Sequence, residues 1–300
     1  MDLDLELVAE GLRFPEGPVA MADGSIILTE IRGPCLTRVR PDGSKEVLAE
    51  TAPGPNGAAI GPDGAVWIAV NGGAFSYRDQ DGLAIPGPTP PGHQSGSIQR
   101  FDLAGGRLDT VYDGLIAPND LVFDAAGGFW FTDHGVTIPD GRRFGALYYA
   151  GVDGAAPSRQ RHDLFSPNGV GLSPDQRIVY VADTWLQRLW AFDVERPGVL
   201  AAPPGYAPGR VVANLQSYQL LDSLAVEAGG KVCVATIVNG GITIFDPDGS
   251  TEHVPVPDPV TTNICFGGAD LRDAWITAGA TGRLYKARWP RPGLRLAFNA

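Results

Sequence analysis

Six short segments of this chain each open on a side-chain oxygen that can bind a hard cation. They are led by Glu16 in Pro15-Glu16-Gly17, Asn56 in Pro55-Asn56-Gly57, Asn119 in Pro118-Asn119-Asp120, Asn168 in Pro167-Asn168-Gly169, Asp222 in Leu221-Asp222-Ser223 and Asn263 in Thr262-Asn263-Ile264. Carboxylates and amide carbonyls, without His or Cys, are the donor set of Ca²⁺ and then of Mg²⁺ or Mn²⁺, whereas zinc is taken by nitrogen and sulfur. The two acids, Glu16 and Asp222, balance a divalent charge. Each also heads an apolar strand, where an acid risks burial unless it finds a partner. A blander reading stands beside each amide, because Pro-Asn-Gly is an ordinary turn sequence and Asn bonds readily to its own chain. Asn168 suits a turn as well as a ligand, and Asn56 and Asn263 suit a turn better. The weight lies in the register that all six share.

The elements that must bring them together follow from their spacing. Successive leading residues lie 40 to 63 positions apart, and an apolar run, a tight turn and a returning apolar run follow most of them. That is the plan of a propeller blade, usually about 40 to 50 residues long before insertions. The expected fold is all-β: a six-bladed β-propeller with four-stranded antiparallel blades, one domain over residues 1–300. Inner strands line a central channel, so their first residues converge on one mouth of it. Antiparallel pairing across a short turn brings His134 to the same edge as Asn119. Trp67, Trp130, Trp275 and Tyr180 occupy matching second-strand positions and read as packing between blades. A hydrophobic content of 44%, with 40 Gly and 26 Pro, suits many short strands and tight turns.

Either residues 5–12 or residues 294–298 can supply the strand that closes the ring. The segment 71–95, with Pro86, Pro88, Pro90 and Pro91, is expected to rise as a loop on the face that carries the leading residues. Residues 135–145 leave the same face, and the two together are expected to form a lid. Residues 195–209 leave the opposite face and read as a stiff surface loop.

A formal charge of −11 repels a phosphate backbone, so no nucleic-acid partner is expected. The acidic start, Met1-Asp2-Leu3-Asp4, lacks the basic region of a secretory signal, and no run of about 18 apolar residues follows. The expectation is a soluble, cytoplasmic protein without a membrane partner. Cys35, Cys233 and Cys265 are odd in number and widely spaced, against both a disulfide framework and a thiolate metal site. Cys233 and Cys265 are expected to be buried. There is no His-Glu-x-x-His pair, no Gly-x-Ser-x-Gly elbow, no phosphate-binding glycine loop and no dinucleotide fingerprint. Zinc peptidases, serine hydrolases, kinases and dehydrogenases lose support.

Taken together, the Glu-Gly-Pro of the first blade, Pro-Asn-Asp of the third, Pro-Asn-Gly-Val of the fourth, Asp-Ser-Leu-Ala-Val of the fifth and Asn-Ile-Cys-Phe-Gly-Gly of the sixth resemble the gluconolactonase/regucalcin (senescence marker protein) family. The resemblance spans almost the whole chain. In that family, and in the similar diisopropyl fluorophosphatase, a six-bladed propeller holds a catalytic divalent cation at the channel mouth. The resemblance implies metal ligands at Glu16, Asn168 and Asp222, with Asn119 as a fourth ligand or a substrate contact. Sugar lactonases of the family often carry an Arg two places before the residue matching Asn119, where this chain has Ala117. The metal site therefore transfers better than the sugar specificity.

The chemistry this predicts is the opening of a lactone by water, aided by one divalent cation, best Ca²⁺, with Mg²⁺, Mn²⁺ or Zn²⁺ as alternatives. Asp222 is the favoured base towards water, or less favourably the nucleophile itself, and His134 is the second candidate base, with a turn residue as its blander reading. Asn56, Asn119, Asp120 and Asp183 form the candidate substrate-binding set. Asp120 is also a candidate support for Asn119, and Asp183 reads alternatively as a solvated strand end. Two other functions are weighed: phosphotriester or phosphofluoridate hydrolysis on the same site, and a non-catalytic propeller that binds proteins. The sequence does not set the oligomeric state.

Overall fold

Apolar runs of five to seven residues, broken by turn signals such as Asp-Gly, pair into six antiparallel sheets whose inner strands surround a channel. A computed structural model describes residues 3–203 and 205–299, and among them there is no helix. The inner strands are Pro15–Ala20, Pro55–Ile60, Pro118–Phe123, Pro167–Leu172, Leu220–Val226 and Thr261–Gly267. Each is followed outward by three more strands of its sheet, and the fourth sheet carries the short strand Val199–Leu200 in addition. Every inner strand packs beside the next, and the sixth packs beside the first, so the ring closes. The chain is the six-bladed propeller expected.

The amino-terminal segment makes the closure. Leu5–Ala9 pairs antiparallel with Arg283–Arg288 as the outermost strand of the sixth blade. Residues 294–298 instead cross the far end of the channel. The Leu294 N–H donates to the Val226 carbonyl at 2.8 Å, and Phe298 meets Phe123 edge-on at 5.9 Å.

The core lies between blades, where the second strands are buried on both faces. Trp67 packs on Phe123 and Phe129 of the next blade at 5.8 and 5.4 Å. Trp130, Tyr180 and Trp275 each join a cluster with the following blade in the same way. Each is buried, as expected of packing residues, and each buried ring stabilises the stack by about 1.5–3 kcal/mol.

The insertions differ from expectation in being ordered hairpins. Within 71–95, Ser76–Gln80 pairs with Leu83–Gly87 around Asp81-Gly82, whose φ angles of 52° and 78° fit a type I′ turn. This hairpin reaches across the mouth to the first and sixth blades. Arg32 pairs with Asp79 at 2.8 Å, and the Ala84 N–H donates to the Ala280 carbonyl at 2.9 Å. Val136–Ile138 pairs with Gly141–Arg143, and the Thr137 N–H reaches Thr89 Oγ1 at 3.1 Å. The two insertions thus make one roof. Residues 195–209 are not a plain loop either, since Arg188–Arg196 folds back onto Val199–Leu200 and Arg161 holds the Pro208 carbonyl at 2.9 Å. Cys233 is buried as expected, but Cys265 is only partly so, at the wall of the channel.

Candidate metal centre and active site

At the mouth every inner strand breaks register with its neighbour. The shifts fall between Glu16 and Val19, Pro55 and Ala58, Pro118 and Leu121, Pro167 and Val170, Leu221 and Leu224, and Thr261 and Asn263. A bulge inserts a residue and re-aims a side chain out of the pleat. Glu16, Asn56, Asn119, Asn168 and Asp222 accordingly line one chamber of about 810 Å³ beneath the roof, together with His134. Nothing in a single strand's sequence announces these six bulges.

The Asn-Gly pairs sit in strands, not turns. A Cβ on Gly57 would lie 2.2 Å from Asp120 Oδ1, and one on Gly169 would lie 2.7 Å from the Ser223 Cα. Neither glycine has a left-handed φ. They are there because adjacent strand tips touch. Threonines then stitch blade to blade: Thr29 Oγ1 donates to the Asn56 carbonyl at 2.6 Å, Thr262 Oγ1 to the Pro15 carbonyl at 2.8 Å, and Thr132 Oγ1 to the Asn168 carbonyl. These bonds fix the backbone of the leading residues. Sequence reasoning missed them, although Leu28-Thr29-Glu30 and Phe131-Thr132-Asp133 carry the signal.

Electrostatically the chamber floor is frustrated. Glu16 Oε2 accepts from Asn263 Nδ2 at 2.8 Å and from the Gly17 N–H, but its buried Oε1 has no partner among the described residues. The buried Asn119 Oδ1 has none either. Burial lifts the Glu16 carboxyl well above its ordinary range, and the charges of Asp222 and Asp120 push it further. Burial likewise raises Asp222 to about 8, with the Asp120 charge adding to it, and Asp120 itself to about 7. These residues fit a hard divalent cation: two orphaned oxygens and the Asp222 carboxylate share a chamber with the Asn168 amide. Among the described residues no three His, Cys, Asp or Glu side chains form a group able to hold an ion, so a site here depends on the amides. That is an oxygen site, not a zinc site.

Three leading or flanking residues do other work. Asn263 donates its amide N–H to Glu16, and its Oδ1 accepts from the Ile264 N–H at 2.7 Å, so it orients the acid. Asp120, expected at the substrate, lies below the ring on a channel cavity of about 120 Å³. Its oxygens take the Leu121 N–H at 2.9 Å and face the Val170 N–H at 3.4 Å, joining the third blade to the fourth. Asp183 is neither a chamber residue nor a solvated strand end. It is fully buried and accepts from the Ser166 N–H and Oγ at 3.1 and 2.7 Å, which holds the chain entering the fourth blade. Asp133 does the same for the third, taking the Ile116 and Ala117 N–H groups at 2.9 and 2.8 Å.

His134 faces the chamber but is poorly suited to take a proton. Its ring lies edge-on to Phe75 at 5.4 Å, and its Nδ1 is 3.0 Å from Arg142 Nη2. Burial first, and then the Arg142 charge, push its pKa down to about 3. Ala117 is buried against Ala74 and Val136, at the roots of the two roof hairpins. A larger side chain at 117 would displace the roof. The chamber walls are mainly apolar, with Phe14, Ile31, Phe75, Ile85, Leu220 and Val260 among them.

Residues 14–280 match the family described as SMP-30/Gluconolactonase/LRE-like region. A gluconolactonase of Zymomonas mobilis is 27% identical over 289 residues, covering 88% of this chain and 76% of its own. Lactonase drp35 of Staphylococcus haemolyticus is 26% identical over 252 residues, covering 82% and 70%. The solved structure of a gluconolactonase from Xanthomonas campestris superposes with a TM-score of 0.74 at 25% identity, covering 95% of this chain and 89% of that one. Regucalcin from Agrobacterium tumefaciens, a calcium-binding protein, shares the fold with a TM-score of 0.74 at 19% identity over 99% of both chains. A family match that begins before the first leading acid and ends beyond the sixth leading residue covers the whole ring, and this chain belongs to the SMP-30/gluconolactonase/LRE-like family.

Proposed function

We propose that this protein is a lactonase that works with one divalent cation held by Glu16, Asn119, Asn168 and Asp222. The observation that carries the reading is the pair of buried oxygens without donors, Glu16 Oε1 and Asn119 Oδ1, on the chamber that Asp222 also lines. The relatives named gluconolactonase and lactonase support the reaction class. A hard cation at these oxygens, Ca²⁺ by their chemistry, supplies Lewis-acid polarisation of the ester carbonyl. Asp222 takes a proton from the attacking water, a role that the low basicity of His134 leaves to it. Water oxygen bonds to the acyl carbon, the ring C–O bond breaks, and the proton returns to the departing alkoxide, leaving a hydroxy acid. Asn56 offers its amide to the substrate from the chamber wall. The apolar walls favour lactones with alkyl or aryl substituents over polyhydroxylated ones.

The test is removal of bound metal with a chelator, then Ca²⁺ add-back, assayed on a panel of alkyl, aryl and sugar lactones. Activity should be lost and recovered. Hydrolysis that survives thorough metal removal refutes the mechanism, and a preference for sugar lactones refutes the substrate preference.

A further inference from the structure

The roof carries one buried hydroxyl that the reaction so far does not use. Tyr77, in the strand Ser76–Gln80, lines the chamber with Glu16 and Asp222, close enough for both acids to act on it electrostatically. Its hydroxyl is buried and has no hydrogen-bond partner among the described residues. Nearby roof groups are committed elsewhere: Ser76 Oγ donates to the Pro88 carbonyl at 2.7 Å, Thr89 Oγ1 accepts from the Thr137 N–H, and Arg142 Nε holds the Phe165 carbonyl at 2.7 Å.

The ring is held firmly. Phe14 packs on it at 4.8 Å, and the Arg32 guanidinium lies 5.5 Å from its centre, itself fixed by Asp79. Phe14 accepts a left-handed φ of 62° to stand there, an uncommon conformation for a residue with a side chain. Leaving a buried hydroxyl unpaired costs free energy, which is accounted for if an acceptor arrives with the substrate.

Building on the lactonase reading, we infer that the Tyr77 hydroxyl donates a hydrogen bond to the acyl oxygen of the bound ester as the ring opens, which makes Tyr77 a catalytic residue of this chain. Burial raises its ionisation above the ordinary phenol range, with the Asp222 charge adding to it, so it stays a donor at any working pH. A donor fixed before the charge develops needs no reorganisation when it does.

Tyr77→Phe keeps the ring and its contacts and removes only the oxygen. On the best lactone of the panel, kcat/KM should fall by roughly tenfold or more, with kcat itself lowered. Ca²⁺ affinity should hold, and the melting temperature should stay or rise, because an orphaned polar group has gone. A residue with only a structural role would show the opposite pattern, a lower melting temperature with kcat intact. The corresponding lactam, which binds without opening readily, gives a second readout by calorimetry: Tyr77→Phe should weaken it about fivefold or more. If the wild type turns over a lactone or binds the lactam, and the variant equals it within about twofold, this inference fails while the lactonase reading stands. A wild type that does neither sinks both.

Discussion

Glu16→Gln separates the two demands on the chamber floor, because it should stabilise the metal-free protein and abolish its response to metal. The substitution is nearly isosteric: the new amide oxygen can still take the Asn263 Nδ2 proton, and the new N–H₂ can face Asp222. What disappears is one of three buried acids that repel each other. The sign follows from proton binding. Asp222 moves from an ordinary 3.8 to about 8 in the folded chain, so the native state holds a proton that the unfolded state releases between those values. Stability of the chelated protein therefore falls as pH rises from about 4 towards 8, by at most about 1.4 kcal/mol per pH unit for one such group. Glu16 is itself held well above its ordinary range by burial and by the charges of Asp222 and Asp120, so removing its ionisable group should raise the melting temperature of the chelated protein at pH 7.5. Wild type in Ca²⁺ at a hundred times its dissociation constant should gain about 2.7 kcal/mol, and the variant almost nothing. The order of melting then reverses between chelator and calcium. A variant that melts below wild type in chelator, or that gains as much from calcium, refutes the frustrated-floor argument.

His134→Gln should leave the acid limb of the pH–rate profile in place above pH 5, because an imidazole with a pKa near 3 is already neutral there; loss of that limb would make His134 the base. Its lowered pKa also means that wild type loses stability as pH falls from the ordinary 6.5 towards 3, and acid titration of unfolding should show the variant to be less sensitive in that window. Gly57→Ala should cost about 1–3 kcal/mol in chemical denaturation and weaken cation binding, because its Cβ meets Asp120 at 2.2 Å, whereas Gly92→Ala, with open space around it, should be nearly neutral. Equal effects at the two sites would remove the close-contact explanation.

Blade count and the five chamber residues Glu16, Asn56, Asn119, Asn168 and Asp222 were legible because each depends on a local pattern: a polar leader, a strand, a turn, a strand. What was illegible depends on a neighbour in another blade. Asn263 sits 247 positions from Glu16, and only their meeting decides that its amide offers nitrogen and not oxygen. Asp120 differs from Asn119 by one position, which in a bulged strand is the difference between the channel below and the chamber above. The roof hairpin is a different kind of miss. Asp81-Gly82 is a strong local hairpin signal, and the prolines around it drew attention to loop character instead.

The polar groups that lack partners show where folding and chemistry part company. Glu16 Oε1, Asn119 Oδ1 and the Tyr77 hydroxyl are all buried without a bond, and all three line the same chamber, two on its floor and one in its roof. Away from the chamber, Asp133 takes three backbone N–H groups and Glu227 takes both Trp289 and Arg291. The other buried polar atoms without a partner among the described residues, Arg38 Nε, Asn71 Nδ2, Asp183 Oδ2 and Trp190 Nε1, line no part of it. What sets the chamber apart is that three such groups share one cavity, acceptors on its floor and a donor above them, and their signs match a bound cation below and a developing negative charge between.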